Sequence, residues 1–180
     1  EYLADENNEV IKEDIEKSIS IFKTNLGKNS DFFSYPFGEY SNNFKNIIKQ
    51  FGFKFAFGQH SGVIDETKDF YELPRYPINE KYGEIKRFKS LTKTLPFKYK
   101  KIFPEEKYLL LSENPPNVKI EFYDNIKNLK SVGCYSNEGN KWRQSDINFE
   151  NSNTLVVNLA EKFIGERGRI NCSLRDPSGL

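Results

Sequence analysis

The chain has 180 residues, with 27 Lys and Arg against 26 Asp and Glu, for a net charge of +1. A balance this close to neutral gives no electrostatic reason to expect a nucleic acid partner. Hydrophobic residues make up 37% and aromatic residues 15%, which excludes a disordered chain and suffices for one medium or two small cores. No apolar run approaches the roughly 20 residues that span a bilayer, so no transmembrane segment is expected in this chain.

The opening residues 1–10 are polar and acidic and carry no secretory signal. The chain contains no Met and begins with Glu1, from which we expect the true start to lie upstream; the end at Leu180 is read as a second cut. The two cysteines, Cys134 and Cys172, are read as small buried hydrophobes, with one bridge in an oxidising compartment as the alternative.

In chain order, Ile11, Ile15, Ile19, Phe22 and Leu26 recur at steps of three and four, which predicts a helix over Asn8–Leu26 closed by Gly27. The apolar run Phe32-Phe-Ser-Tyr35 predicts a buried strand, ended by Pro36 and Gly38. Ser41 can cap a second helix over residues 42–50, with Phe44, Ile47, Ile48 and Phe51 inside and Gly52 as its stop. Phe53-Lys-Phe-Ala-Phe57 predicts a second strand, followed by a polar loop to Asp69. Strand, helix, strand in that order builds parallel α/β sheets and barrels.

After Gly83 the character changes. Residues 86–114, rich in Lys and broken by Pro96 and Pro104, are expected to be a last helical or irregular piece and a linker. Beyond Pro115-Pro116 the pattern is all-β. Val118, Ile120 and Phe122 alternate with polar residues, Leu155–Leu159 forms a strand, and Arg169–Leu174 alternates again. Residues 115–180 are therefore expected to form a small antiparallel β-sandwich. Tyr123, Tyr135 and Trp142, with Arg143, are read as its packing, with stacking against sugar rings as the alternative.

Three stretches carry the most information: Phe33-Ser-Tyr-Pro-Phe-Gly-Glu-Tyr40, Gly52-Phe-Lys-Phe-Ala-Phe-Gly58 and Leu73-Pro-Arg-Tyr-Pro-Ile78. Their order resembles the later half of the polysaccharide deacetylase family (carbohydrate esterase family four). There a strand ends in a Tyr-Pro-aromatic-Gly turn, a helix follows, and a Gly-Phe-x-x-Ala-Phe strand precedes a Leu-Pro-Arg element. The match runs from about Val10 to Tyr82. The resemblance implies the later part of a distorted (β/α) barrel over residues 1–85, and removal of N-acetyl groups from an acetylated polysaccharide or oligosaccharide of the cell surface or exterior.

The resemblance also implies a divalent metal, zinc by type, held by one Asp and two His. The Thr-Phe-Asp-Asp and His-x-x-x-His motifs that supply those ligands are not in this sequence, whose sole histidine is His60. We therefore expect the metal-binding N-terminal half to lie outside this chain, and this chain alone to hold no catalytic metal and to be inactive.

Three positions match the family's pattern, Phe37, Arg75 and Tyr35. His60 matches no family motif and is read from its loop position alone, as lining the cleft or facing water. The main-chain N–H of Phe37, after Pro36, is implied as the oxyanion donor. Arg75 is implied as the partner that orients the catalytic base. Tyr35 and His60 are placed in the substrate-binding cleft, His60 in a loop at a strand's C-terminal end. The alternatives are a strand-ending turn for Phe37, a surface salt bridge for Arg75 and packing for Tyr35. At the level of function, the alternative is a non-catalytic carbohydrate-binding or interaction module with a degenerate barrel. A serine esterase is a poor reading, because Ser61 lacks a Gly-x-Ser-x-Gly context. A glycosidase would need two facing carboxylates, and nothing pairs Glu39 with Asp65.

Overall fold

The computed structural model describes residues 3–175. The chain divides into two compact units, Glu1–Leu91 and Thr92–Leu180, and each is taken by itself.

The first unit runs α1 (Asn8–Leu26), β1 (Phe32–Ser34), α2 (Asn42–Gln50), β2 (Phe55–Phe57) and α3 (Ile85–Leu91). Helix α1 ends where Gly27 turns left-handed at φ 68° and its N–H donates to the Lys23 carbonyl at 2.8 Å. Helix α2 starts at Ser41, whose hydroxyl accepts the Phe44 N–H at 3.0 Å. Strands β1 and β2 pair in parallel, with Phe33 opposite Ala56. Alternation along the strands sends Phe33 and Ala56 to one face, where they meet Ile15, Phe44, Ile47, Ile48, Phe53 and Tyr35 in one core. Truncating Ile48, fully buried, to Ala is expected to cost about 2–5 kcal/mol.

The other face of that small sheet is aromatic and uncovered. Phe32 stacks on Phe55 at 5.4 Å between centroids, and Phe55 meets Phe70 at 5.3 Å. Phe32 and Phe70 both remain at least half exposed. Among the described residues the strands of this unit do not close into a barrel.

The second unit is all-β: β3 (Lys101–Phe103), β4 (Val118–Glu121), β5 (Val132–Ser136), β6 (Arg143–Gln144), β7 (Asp146–Phe149), β8 (Thr154–Asn158) and β9 (Ile170–Leu174). They form two antiparallel sheets in the orders β3-β4-β8-β7 and β6-β5-β9. Val118, Ile120, Leu155 and Val157 from one sheet share a core with Val132 and Cys134 from the other, so the two sheets are layered face to face. Behind the turn at Glu138 a buried carboxylate is fully engaged. It accepts the Ser136 hydroxyl at 2.9 Å and the Glu161 N–H at 2.7 Å.

Three expectations change. Residues 86–114 are not a free linker. Helix α3 is the last helical piece expected there, but beyond it β3 pairs with β4, and Phe97 and Tyr99 pack on the second core. The Lys-rich composition hid this because the ammonium groups stay outside, as in the exposed Lys100–Glu121 pair at 2.7 Å. Tyr123, Tyr135 and Trp142 are not core either: they are 37%, 49% and 52% exposed. Arg143 lies at the surface, paired with Glu161 at 2.8 Å.

The third change concerns Cys134 and Cys172, which are a disulfide. They stand directly opposite in the β5–β9 register, with Cα atoms 4.1 Å apart, so both side chains leave the sheet on the same side. The bridge closes a separation of 38 residues. Reduction, or the double change Cys134→Ala with Cys172→Ala, should lower the unfolding free energy of the second unit by about 3–4 kcal/mol. Urea unfolding followed by far-UV circular dichroism, with and without reductant, measures this; equal midpoints would mean that the bridge contributes nothing.

Candidate functional site

The site grows from the ends of parallel strands. Beyond Ser34 the chain stays paired: the Tyr35 N–H donates to the Phe57 carbonyl at 3.1 Å. Pro36 then fixes φ, and the Gly38 N–H donates back to the Tyr35 carbonyl at 2.8 Å, closing a four-residue turn. Its third residue, Phe37, sits at φ 55°, a left-handed conformation that non-glycine residues rarely adopt. Phe37 is 63% exposed. Gly38 is also left-handed, and a Cβ on it would collide with the main-chain nitrogen and side chain of Gln59. The turn after β1 thus lies directly against the loop after β2.

Beyond Phe57 that loop bonds in turn to a third, parallel segment. The Leu73 N–H donates to the Ala56 carbonyl at 2.9 Å, the Gly58 N–H to the Leu73 carbonyl at 3.0 Å, and the Arg75 N–H to the His60 carbonyl at 3.0 Å. Three chain ends therefore converge: the Phe37 turn, the Gly58–His60 loop and Leu73–Arg75. Gly58 allows this closeness, since a Cβ there would come within 2.8 Å of His60 Nδ1 and 3.1 Å of Tyr40 Cε1. The His60 imidazole lies 6.3 Å from the Tyr40 ring and faces solvent. The Arg75 side chain is exposed, and among the described residues its guanidinium makes no ion pair.

Tyr35 is a packed aromatic and not a cleft residue. It is only 2% exposed, with its ring packed on Phe33, Tyr40 and Phe44 and its hydroxyl donating to the Tyr71 carbonyl at 3.1 Å. It therefore braces the turn from below and presents no surface to a substrate. Burial pushes the pKa of this hydroxyl well above its usual value, and the charges of Asp69 and Glu72 add to the effect.

Beneath the site lies a charge cluster that the sequence reading missed. Lys45, on the inner face of α2 and only 8% exposed, donates to Glu72 and, at 3.4 Å, to Asp69. Glu72 also accepts the Tyr40 hydroxyl at 3.5 Å. Burial alone would lower the Lys45 pKa; the hydrogen bond and charge of Glu72, joined by Asp69, more than reverse this and raise it. The sequence held one signal for the cluster, a lysine three residues before Ile48 on an otherwise apolar stripe.

The donor set does not suit the metal that the resemblance implies. Among the described residues no three His, Cys, Asp or Glu side chains cluster to hold an ion. Asp69 and Glu72 are engaged with Lys45, both cysteines are in the disulfide, and His60 is the sole histidine. No helix among the described residues is long and apolar enough to cross a membrane.

Residues 1–56 match the polysaccharide deacetylase family. The matched stretch holds α1, β1, the Phe37 turn, α2 and β2 as far as Ala56. Its end leaves the Leu73-Pro-Arg75 element of the polysaccharide deacetylase resemblance outside the matched residues. No curated protein and no solved structure matches the chain.

The Lys45 cluster carries a pH signature. A lysine whose folded pKa lies above its ordinary 10.5 contributes stability that is fully present below that value and is lost as pH rises through the folded pKa. Tyr35, with its folded pKa raised above 10.0, acts in the same direction. The unfolding midpoint of the first unit should therefore be level through neutral pH and fall above about pH 10. Lys45→Met, which leaves Glu72 and Asp69 without their ammonium, should cost about 1–3 kcal/mol at pH 7 and flatten that alkaline fall. Thermal melts of both proteins between pH 7 and 11 measure it; parallel curves would remove Lys45 from the account.

Proposed function

We propose that the first unit is the later part of a polysaccharide deacetylase catalytic domain, hydrolysing the acetamide of N-acetylated sugars to acetate and a free amine. The convergence of the Phe37 turn, the His60 loop and Arg75 at the C-terminal ends of parallel strands carries this reading, since barrel enzymes build their sites there. Two further features support it. The uncovered face of Phe32, Phe55 and Phe70 suits a sheet that continues into further barrel strands, because parallel sheets are covered on both faces. The Cys134–Cys172 bridge suits an oxidising compartment, where cell-surface and extracellular polysaccharides are met.

In this reading the Phe37 N–H donates to the oxyanion that develops on the acetamide carbonyl, from a turn whose strained φ fixes its direction. The exposed Arg75 guanidinium pairs with the carboxylate that serves as base, keeping it ionised and oriented. His60 lines the cleft. The metal ligands of the family come from sequence outside this chain.

Purified chain is expected to carry no stoichiometric zinc or cobalt by elemental analysis and to release no acetate from acetylated chito-oligosaccharides. Joined to a family segment bearing the Asp and two His ligands, it should do both, and Arg75→Ala there should lower kcat about ten-fold or more. Metal at one equivalent with deacetylation by this chain alone would overturn the division of labour. No activity even in the joined protein would favour a non-catalytic sugar-binding module. An Arg75→Ala kcat equal to wild type would make Arg75 a surface residue.

A further inference from the structure

His60 is the sole histidine of the chain, and it is exposed on its loop. An exposed side chain ordinarily samples several rotamers, and fixing it in one costs entropy. The imidazole of His60 nevertheless has a seat. It lies over the main chain of Gly58, where a Cβ would come within 2.8 Å of His60 Nδ1 and 3.2 Å of its Cε1. The same Cβ would meet Tyr40 Cε1 at 3.1 Å, so the edge of the Tyr40 ring borders that seat. The two rings are neighbours, with centroids 6.3 Å apart and planes inclined at 57°, within the range of a tilted aromatic contact. The φ of Gly58 is not left-handed, so its backbone does not call for glycine; the space taken by the two rings does.

Tyr40 is anchored in turn. Its ring packs on that of the buried Tyr35 at 5.1 Å between centroids. Its hydroxyl donates to Glu72 Oε2 at 3.5 Å, a long bond that adds direction more than strength. The other oxygen, Glu72 Oε1, accepts from Lys45 of α2. Contacts therefore run from a buried lysine through Glu72 and Tyr40 to an exposed imidazole. The stretch that holds Tyr40 also holds Gly38, packed against Gln59, so it touches all three residues of the Gly58–His60 loop.

We propose that Tyr40 is a positioning residue: anchored on Tyr35 and Glu72, its ring fixes the direction in which the His60 imidazole points. The consequence for catalysis rests on the deacetylase reading, in which His60 lines the cleft. An imidazole that is exposed yet held offers its ring nitrogens to a sugar at a set angle, and the substrate does not first have to immobilise it.

Because His60 is the sole histidine, its Cε1–H gives a single imidazole resonance in the full chain. Carbon relaxation at that position reads ring mobility on the picosecond-to-nanosecond scale, with no reference to activity. Wild type and Tyr40→Phe, which keeps the ring, should share a restricted order parameter. Tyr40→Leu should lower it toward that of a free side chain. If Tyr40→Leu fails to fold, Gly58→Ala decides. The atoms that its methyl crowds belong to side chains, so the thermal midpoint should hold while the imidazole leaves its seat and its resonance shifts. In the protein joined to the metal-bearing segment, Gly58→Ala should raise KM about three-fold or more and leave kcat within about two-fold, the pattern of lost ground-state binding. Wild-type mobility of His60 in folded Tyr40→Leu overturns the proposal, as does an unmoved resonance in Gly58→Ala. An unchanged KM for Gly58→Ala in an active joined protein overturns it too. A joined protein without activity overturns the deacetylase reading alone, since the relaxation measurements do not depend on it.

Discussion

The main chain of residues 56–60 is hydrogen-bonded on both sides, and the candidate site depends on that double engagement. Toward β1, the Phe57 carbonyl receives the Tyr35 N–H; toward the third segment, the Ala56, Gly58 and His60 positions exchange bonds with Leu73 and Arg75. Each bond is worth only about 1 kcal/mol net, but the ladder is directional. It brings the Phe37 turn and the Arg75 main chain to opposite sides of one loop, and Gly38 and Gly58 remove the Cβ atoms that would force them apart. The main-chain positions of Phe37, His60 and Arg75 are thus set by backbone pairing.

Such a ladder needs a firm base, and the buried layer beneath it is partly ionic. Lys45 enters an otherwise apolar helix face and is satisfied by Glu72 and Asp69, which flank Tyr71 in the segment leading to Leu73. The same segment supplies the carbonyl that takes the Tyr35 hydroxyl. Helix α2, the turn and the third parallel segment are therefore cross-linked by a few polar contacts. A hydrophobic core is tolerant of sliding, whereas an ammonium between two carboxylates fits one register.

Much of this was legible in the sequence, for identifiable reasons. Helices α1 and α2 and strands β1 and β2 were readable because apolar spacing, Ser41 and Gly27 all pointed the same way. The order of the Tyr-Pro-Phe-Gly, Gly-Phe-x-x-Ala-Phe and Leu-Pro-Arg stretches pointed to the deacetylase family, and residues 1–56 match it. What composition could not reveal was pairing at a distance. Strand β3 was masked by its lysines, and the cysteine bridge depends on a register across 38 residues. The outward position of Tyr135 and Trp142 is set by which parity of β5 meets the core, and bulky aromatics read as packing until that parity is known. Lys45 was passed over because a single lysine on a helix ordinarily faces water.

The bridge between Cys134 and Cys172 has one further consequence, for how the protein matures. The two sulfurs face each other only when β5 and β9 pair in the native register. A slip of one residue would set Gly133 or Tyr135 opposite Cys172 and send the two thiols to different faces of the sheet. Oxidation therefore acts as a proofreading step on strand alignment. Correctly aligned molecules become covalently locked, whereas a slipped register leaves the two thiols apart and unbridged.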